Sequence, residues 1–424
     1  MRGGSDENHK PRKIALAGTV VAAVALVGCL GCAAQTQTAD TGAAQEPVQQ
    51  EQTEQQAAAP EKVAKKTLAE WVTTYPNQGN SYMEAKMAHT YDAFAGASQQ
   101  AFGGEDAAVA CAACHAREDF QTVYNEQGET ILDKNASDYE MEWSNCTNCH
   151  VGDPGEGKVE GGNAYGDATS VSAKALFPEE DYVCGQCHAM FPGAAYLEDA
   201  NKGIDQYKYG FEPEEMLRAM KEYYEANPVT ETTICAGMVG VPMLDPEIDT
   251  MLYLTDACTE LELFQDGNHQ KMGLTCTDCH MPQTEAADGA TYTHHNMTQS
   301  PLENPAALEK CLTCHKSQGV EDADAMVTFV KGKMDELAQI QQATKTKLDE
   351  FHAKLAEVVA AGNADETKLQ AAKDAYNLAN VYFLYQGTAM RPTDGSMAAM
   401  NFSKSVEQLQ KADDAIAEGM AQIA

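Results

Sequence analysis

Five Cys-x-x-Cys-His pentapeptides account for ten of the 14 cysteines in this chain of 424 residues: Cys111-Cys114-His115, Cys146-Cys149-His150, Cys184-Cys187-His188, Cys276-Cys279-His280 and Cys311-Cys314-His315. Two thiols three residues apart can each form a thioether with one vinyl group of a single porphyrin, and the imidazole that follows reaches the iron from the proximal side. Each pentapeptide is therefore an attachment site for a c-type haem, five in all. A structural zinc site built from paired Cys-x-x-Cys units, or a thiol-redox pair, leaves the histidine after every second cysteine without a purpose. The chemistry these residues support is electron transfer or a multi-electron redox reaction.

Attachment of this kind takes place outside the cytoplasm, and the N-terminus reads accordingly. Lys10, Arg12 and Lys13 precede an apolar run that begins at Ile14, the pattern of an export signal. The run ends in Leu26-Val27-Gly28-Cys29, which looks like a lipoprotein processing box, with Cys32 a less convincing second acceptor. The reading is cleavage before Cys29 and lipidation of that residue. An uncleaved helix from Ile14 to Ala34 is the alternative, nearly long enough to span a bilayer. Both anchor the protein at the outer face of the cytoplasmic membrane. Residues 1–34 are thus a signal and anchor segment, and residues 35–66, rich in Gln, Glu, Ala and Pro, are a flexible tether that cannot repay its ordering entropy. The formal net charge of −35 excludes nucleic acid as a partner and favours a basic or haem-exposing redox protein.

The haem sites need elements to hold them. Strand-like alternation is scarce, and segments such as 151–169 and 282–305 are rich in loop-forming residues. The expected fold is mainly α with little β-structure: a compact multihaem cytochrome c domain with a haem-binding region over 67–320 and a C-terminal helical region over 321–424. In the latter, Asp324 to Gly362, Ala364 to Tyr385 and Ser396 to Ala421 carry recurrent apolar positions that predict packed helices. The insert between Cys184 and Cys276 is long enough to wall off a reactive iron.

Each iron has a second axial position. His269, after Asp266-Gly267-Asn268, is placed to reach a neighbouring haem from a loop; one of His294 and His295 is expected to serve likewise, and His89 is the next candidate. His352 lies in a charged helical stretch and reads as a solvated helix residue.

The chain resembles the ammonia-forming pentahaem cytochrome c nitrite reductases. The resemblance rests on Trp71 to Ser81 (WVTTYPNQGNS), CGQCH at 184–188, the block Glu262 to Pro282 with DGNH and CTDCHMP, THH at 293–295 and CLTCHKS at 311–317, and it spans roughly residues 67–421. It implies five closely packed haems, a small-molecule substrate, a membrane-associated cytochrome c quinol dehydrogenase as electron donor, and a homodimer built on long C-terminal helices. It also implies His295 as distal ligand at Cys146/Cys149, His89 at Cys184/Cys187 and His269 at Cys311/Cys314. The distal histidine expected after Gly387 is missing, and Met390 is the nearest candidate for the haem at Cys276/Cys279. Methionine there would raise the haem potential relative to histidine.

Departures gather at the first haem. The family typically attaches it through a motif ending in lysine, whereas this chain has His115. Ala101 falls where the family has an arginine, Phe191 replaces its tyrosine and Cys258 its histidine, while Met190 replaces the acid beside the tyrosine and makes calcium unlikely. Reducing a nitrogen oxyanion requires positive charge over the iron and a proton donor. Alanine and phenylalanine provide neither; Cys258 is a speculative catalytic residue, either free beside the first haem or tied to Cys235 by a disulfide. Two functions follow: reduction of nitrite to ammonia, or of another small nitrogen or sulfur compound, at the first haem, or non-catalytic relay of electrons from the membrane to an external acceptor.

Overall fold

The computed structural model describes residues 66–85, 145–160, 167–190, 205–227, 243–253, 258–386 and 393–424. Among them the fold is mainly α. Helices α1 (Leu68–Thr74), α2 (Pro76–Met83), α3 (Asp167–Leu176), α4 (Glu179–Gly185) and α5 (Pro213–Ala226) precede a hairpin of β1 (Met243–Asp245) and β2 (Thr250–Leu252). The short helices α6 (Glu260–Phe264), α7 (Asn268–Lys271) and α8 (Cys276–His280) follow, then a second hairpin, β3 (Gln283–Glu285) and β4 (Thr291–Thr293). Helices α9 (Pro305–His315), α10 (Ala323–Ala361), α11 (Glu366–Tyr385) and α12 (Ala398–Gln422) complete the chain. Both hairpins are antiparallel, pairing Leu244 with Met251 and Thr284 with Tyr292.

The three C-terminal helices start and stop where local chemistry dictates. Asp322 caps α10 by accepting the Ala325 N–H at 2.8 Å, and Gly362 ends it in the left-handed region. Asp365 then caps α11 through the Lys368 N–H at 3.0 Å. Along α10, Leu337, Gln341, Thr344, Leu348, Phe351 and Leu355 are buried at alternating steps of three and four, the repeat of a helix packed against helical partners. Phe351 is fully buried, meets Tyr376 edge-on at 5.6 Å and faces Gly419, where a Cβ would collide with its ring.

This bundle is continuous with the haem-bearing half. One apolar core runs from Leu348, Phe351, Val381, Tyr385 and Leu409 into Tyr182, Met190, Tyr207, Met216, Met220 and Leu263. Helix α5 packs on α11, α6 on α4 and α12, and α8 on α4 and α9. The cytochrome segments are thereby mounted on a rigid helical back.

His352 differs from its sequence reading. Its Nε2 lies 2.8 Å from Asp245 Oδ2 and its ring is 5.6 Å from Tyr376. It pins the β1–β2 hairpin to α10, a partnership made by residues far apart in sequence and therefore invisible to helical periodicity.

Candidate haem-binding site

Four of the five pentapeptides fall within the described residues, and each sits on a single helical turn. Cys146–Asn148 is a 3-10 turn capped by Asn145, whose Oδ1 accepts the Thr147 N–H at 2.9 Å. Cys184 ends α4; Cys276 opens α8, where Thr275 and Asp278 form a capping box; Cys311 lies in the last turns of α9. The reason is geometric. Residues three and four apart share one face of a helix, so both sulfurs and the imidazole of each motif point to the same side, as a covalently held porphyrin requires.

The motifs touch in series. The side-chain amide of Gln186, inside the motif that opens at Cys184, donates to the carbonyl of Asn148, inside the motif that opens at Cys146, at 2.9 Å. Cys184 and Cys276 are in hydrogen-bonding contact, and that contact, burial and the Asp181 carboxylate all push the Cys276 thiol up. The Cys279 thiol is raised to about 11 by burial and then by Cys311, and an Asp278–Lys310 ion pair of 2.8 Å ties the same two motifs together. From the motif that opens at Cys146 to the one that closes at His315, each haem site thus borders the next one in sequence order.

Two pairs of imidazoles face one another. His150 and His295 have ring centroids 6.2 Å apart with planes inclined by 33°, and His269 and His315 are also 6.2 Å apart, inclined by 62°. Two imidazoles bonded at ~2 Å to opposite sides of one metal ion have centroids roughly 6 Å apart, so both pairs fit an iron between them. The ring nitrogens fit as well. His150 Nδ1 lies 3.2 Å from the Lys158 carbonyl, His280 Nδ1 3.2 Å from that of Met297 and His295 Nδ1 2.7 Å from that of Thr293. A carbonyl partner fixes the tautomer and leaves Nε2 for the metal. Burial is the leading cause that lowers His150, His269, His280 and His295, favouring the neutral ring that ligates. His294, the neighbour of His295, instead lies 6.4 Å from the Tyr292 ring, inclined by 50°, with its Nδ1 buried and unpartnered among the described residues.

The position of His269 depends on a residue that the sequence reading missed. Asn401 breaks α12 with φ −154° and ψ 78°. Its Oδ1 accepts the Lys404 N–H at 3.2 Å, a donor that an unbroken helix would direct to the Met400 carbonyl. The Met400 and Ala399 carbonyls favour a proton on His269, against the burial that disfavours it. The Asn401 amide also donates to the Leu263 carbonyl at 2.9 Å, tying α12 to α6. Replacing Asn401 with alanine is expected to cost about 1–2 kcal/mol, as for a lost helix cap. Urea denaturation measures that loss, and a partial high-spin signal would report the freed His269 ring.

His89, Cys111, Cys114, His115, Met390, Cys235, Ala101 and Phe191 lie outside the described residues. Cys258 lies within them and precedes Thr259, whose hydroxyl donates to the Tyr385 carbonyl at 2.5 Å. Met190 is fully buried, with its N–H on Glu262. Among the described residues, no group of three or more His, Cys, Asp or Glu side chains is gathered as a metal-ion cage.

A mainly helical scaffold carrying Cys-x-x-Cys-His turns in series, with facing imidazoles, defines a multihaem c-type cytochrome. Residues 79–423 match the cytochrome c552 family, and the chain belongs to that family. It is accordingly a cytochrome of electron transport with covalently bound haem c. Its fold is similar to that of the cytochrome c nitrite reductase from Desulfovibrio desulfuricans ATCC 27774, at 19% identity and a TM-score of 0.51. The match covers 74% of this chain and 65% of that one, whose structure is described in terms of two calcium sites in the catalytic subunit.

Proposed function

We propose that the protein is an extracytoplasmic pentahaem cytochrome c reductase that delivers electrons to a small nitrogen or sulfur compound, nitrite foremost, at the haem held by Cys111 and Cys114. The observation that carries this reading is the series of contacts from motif to motif: the Gln186 amide on the Asn148 carbonyl at 2.9 Å, α8 packed on α4, and Lys310 paired with Asp278 at 2.8 Å. With facing histidines at both ends of the series, these sites suit relay rather than substrate binding. Haem supplies the one-electron redox couple. The chain's own residues would hold two of the relay irons between facing imidazoles, His150 with His295 and His315 with His269, and fix the tautomers of His150, His280 and His295 through backbone carbonyls.

The anchor at Cys29, a membrane-associated quinol dehydrogenase as donor and a homodimer through the C-terminal helices belong to the same proposal. Among the described residues no helix is long and apolar enough to cross a membrane. The second reading, an electron carrier without a substrate, draws support from Ala101, Phe191 and Cys258, which stand where the reductases carry arginine, tyrosine and histidine.

Anaerobic turnover with reduced viologen against nitrite, hydroxylamine and sulfite separates the two. Oxidation of the viologen by at least one of them, with one haem showing a high-spin ferric signal, is the expected result. No oxidation together with a wholly low-spin spectrum would establish the carrier reading.

A further inference from the structure

Glu262, on α6, has no exposed surface. Its Oε1 accepts the Met190 N–H at 2.8 Å and the Tyr207 hydroxyl at 2.7 Å. Its Oε2 is equally buried and has no donor among the described residues. Beside it, Gln206 donates its amide to the Met190 carbonyl, and the Gln206 Oε1 is a second buried acceptor without a donor there. A carboxylate left half satisfied in a sealed core is costly, and a proton on Oε2 removes both the charge and the orphaned acceptor.

Among the described residues no cation answers this charge directly. Lys404, from α12, reaches the Glu262 backbone carbonyl at 3.3 Å and pairs with Glu212 at 2.7 Å. Glu260, on the same helix, adds a second negative charge. Tyr207 is held protonated by burial and by Glu262 itself, and Tyr385 by burial and by Glu212; Tyr182 adjoins Tyr207. Burial pushes the Glu262 carboxyl up to about 7, against the hydrogen bonds from Tyr207 and Met190.

The same helix is clamped to a haem-bearing segment. Leu261 donates its N–H to the His188 carbonyl at 2.9 Å, and Glu262 holds the N–H of Met190, two residues beyond His188. A change in charge at the iron carried by His188 is therefore felt at a carboxyl group poised to change its own. We propose that Glu262 is the proton-loading group of the haem at Cys184 and Cys187: when that iron accepts one electron from a reduced donor, Glu262 takes up one proton from water at Oε2, and it releases the proton when the electron leaves. The uptake cancels the charge that reduction adds, and by reciprocity protonation favours reduction. This rests on the proposed haem at that motif.

The test is a potentiometric titration of the intact holoprotein with viologen mediators, repeated across pH. In the wild type one haem is expected to lose a factor of ten in its reduced-to-oxidised ratio per pH unit above pH ~7, equivalent to about 59 mV for one electron. Below that pH the acid is protonated in both redox states and the dependence vanishes. Glu262→Gln keeps an acceptor for Met190 and Tyr207 and is expected to abolish the slope. Tyr207→Phe, which removes a donor to the carboxylate, is expected to move its onset to higher pH and serves if the first variant does not fold. A wild type without such a slope, or a slope and onset unchanged in the variant that folds, overturns the proposal. Intact mass, read first on the same samples, counts the haems; a missing haem at Cys184/Cys187 rejects the underlying reading instead.

Discussion

Replacing His295 with alanine is expected to convert one haem from low-spin to high-spin and to create a new cyanide-binding iron. His295 faces His150 at 6.2 Å, and its orientation is set from two sides. Its Nδ1 meets the Thr293 carbonyl at 2.7 Å, while its backbone N–H donates to Ser81 Oγ at 2.9 Å, which ties β4 to α2. A methyl group in its place leaves the distal side of the haem at Cys146 and Cys149 without a strong-field ligand. Ferric electron paramagnetic resonance and a cyanide titration measure the change. His294→Ala is the matched control: the His294 N–H donates to the Pro282 carbonyl at 3.0 Å, a bond the substitution keeps, and its ring faces Tyr292. Its spectrum should stay as in the wild type. If the two variants exchange behaviours, the ligand is His294.

The second large effect is expected in the scaffold, from Gly395→Ala. Gly395 has φ +71°, a conformation strained for any residue with a Cβ, and that atom would run into the backbone carbonyl of Met334 on α10. Its N–H donates to Gln341 Oε1 at 2.9 Å, and Gln341 is itself held by Gln386 at the end of α11. The chain therefore passes against α10 at closest approach just before α12 begins. Neither partner can withdraw, because one is helix backbone and the other is locked to a buried amide. A loss on the order of 3 kcal/mol or more is expected. Gly362→Ala isolates the conformational part, since Gly362 has φ +63° with nothing near its Cβ direction; about 1 kcal/mol should be lost there. Equal thermal shifts in the two variants would contradict the close packing at Gly395.

The attachment turns were legible because they are local. A Cys-x-x-Cys-His motif names its own cofactor and presents its ligands from one helical turn, whatever the rest of the chain does. The extents of α10 and α11 were legible for the same reason: recurrent apolar positions act within a few residues of one another and place both helices within two residues of their observed ends, whereas the capping roles of Asp322 and Asp365 emerged only in the structure. Composition and the family resemblance extended this to a mainly α fold, and the resemblance named His295 and His269, whose rings the structure sets facing those of His150 and His315.

What the sequence could not determine is how groups distant along the chain meet in the core. Asn401 carries no signal of its role, since asparagine within a helical stretch reads as a mildly unfavourable residue. Only the packing of α12 on α6 makes it a cap, accepting the Lys404 N–H while its amide holds the Leu263 carbonyl. Glu262 reads as one more acid in a chain of net charge −35, yet burial between Met190, Tyr207 and Lys404 makes it the carboxyl whose proton is at issue. Residue type determines which reactions are available to a side chain. Its proton affinity and its reach depend on the solvent that the fold removes and the partners it supplies, and those exist only in the tertiary structure.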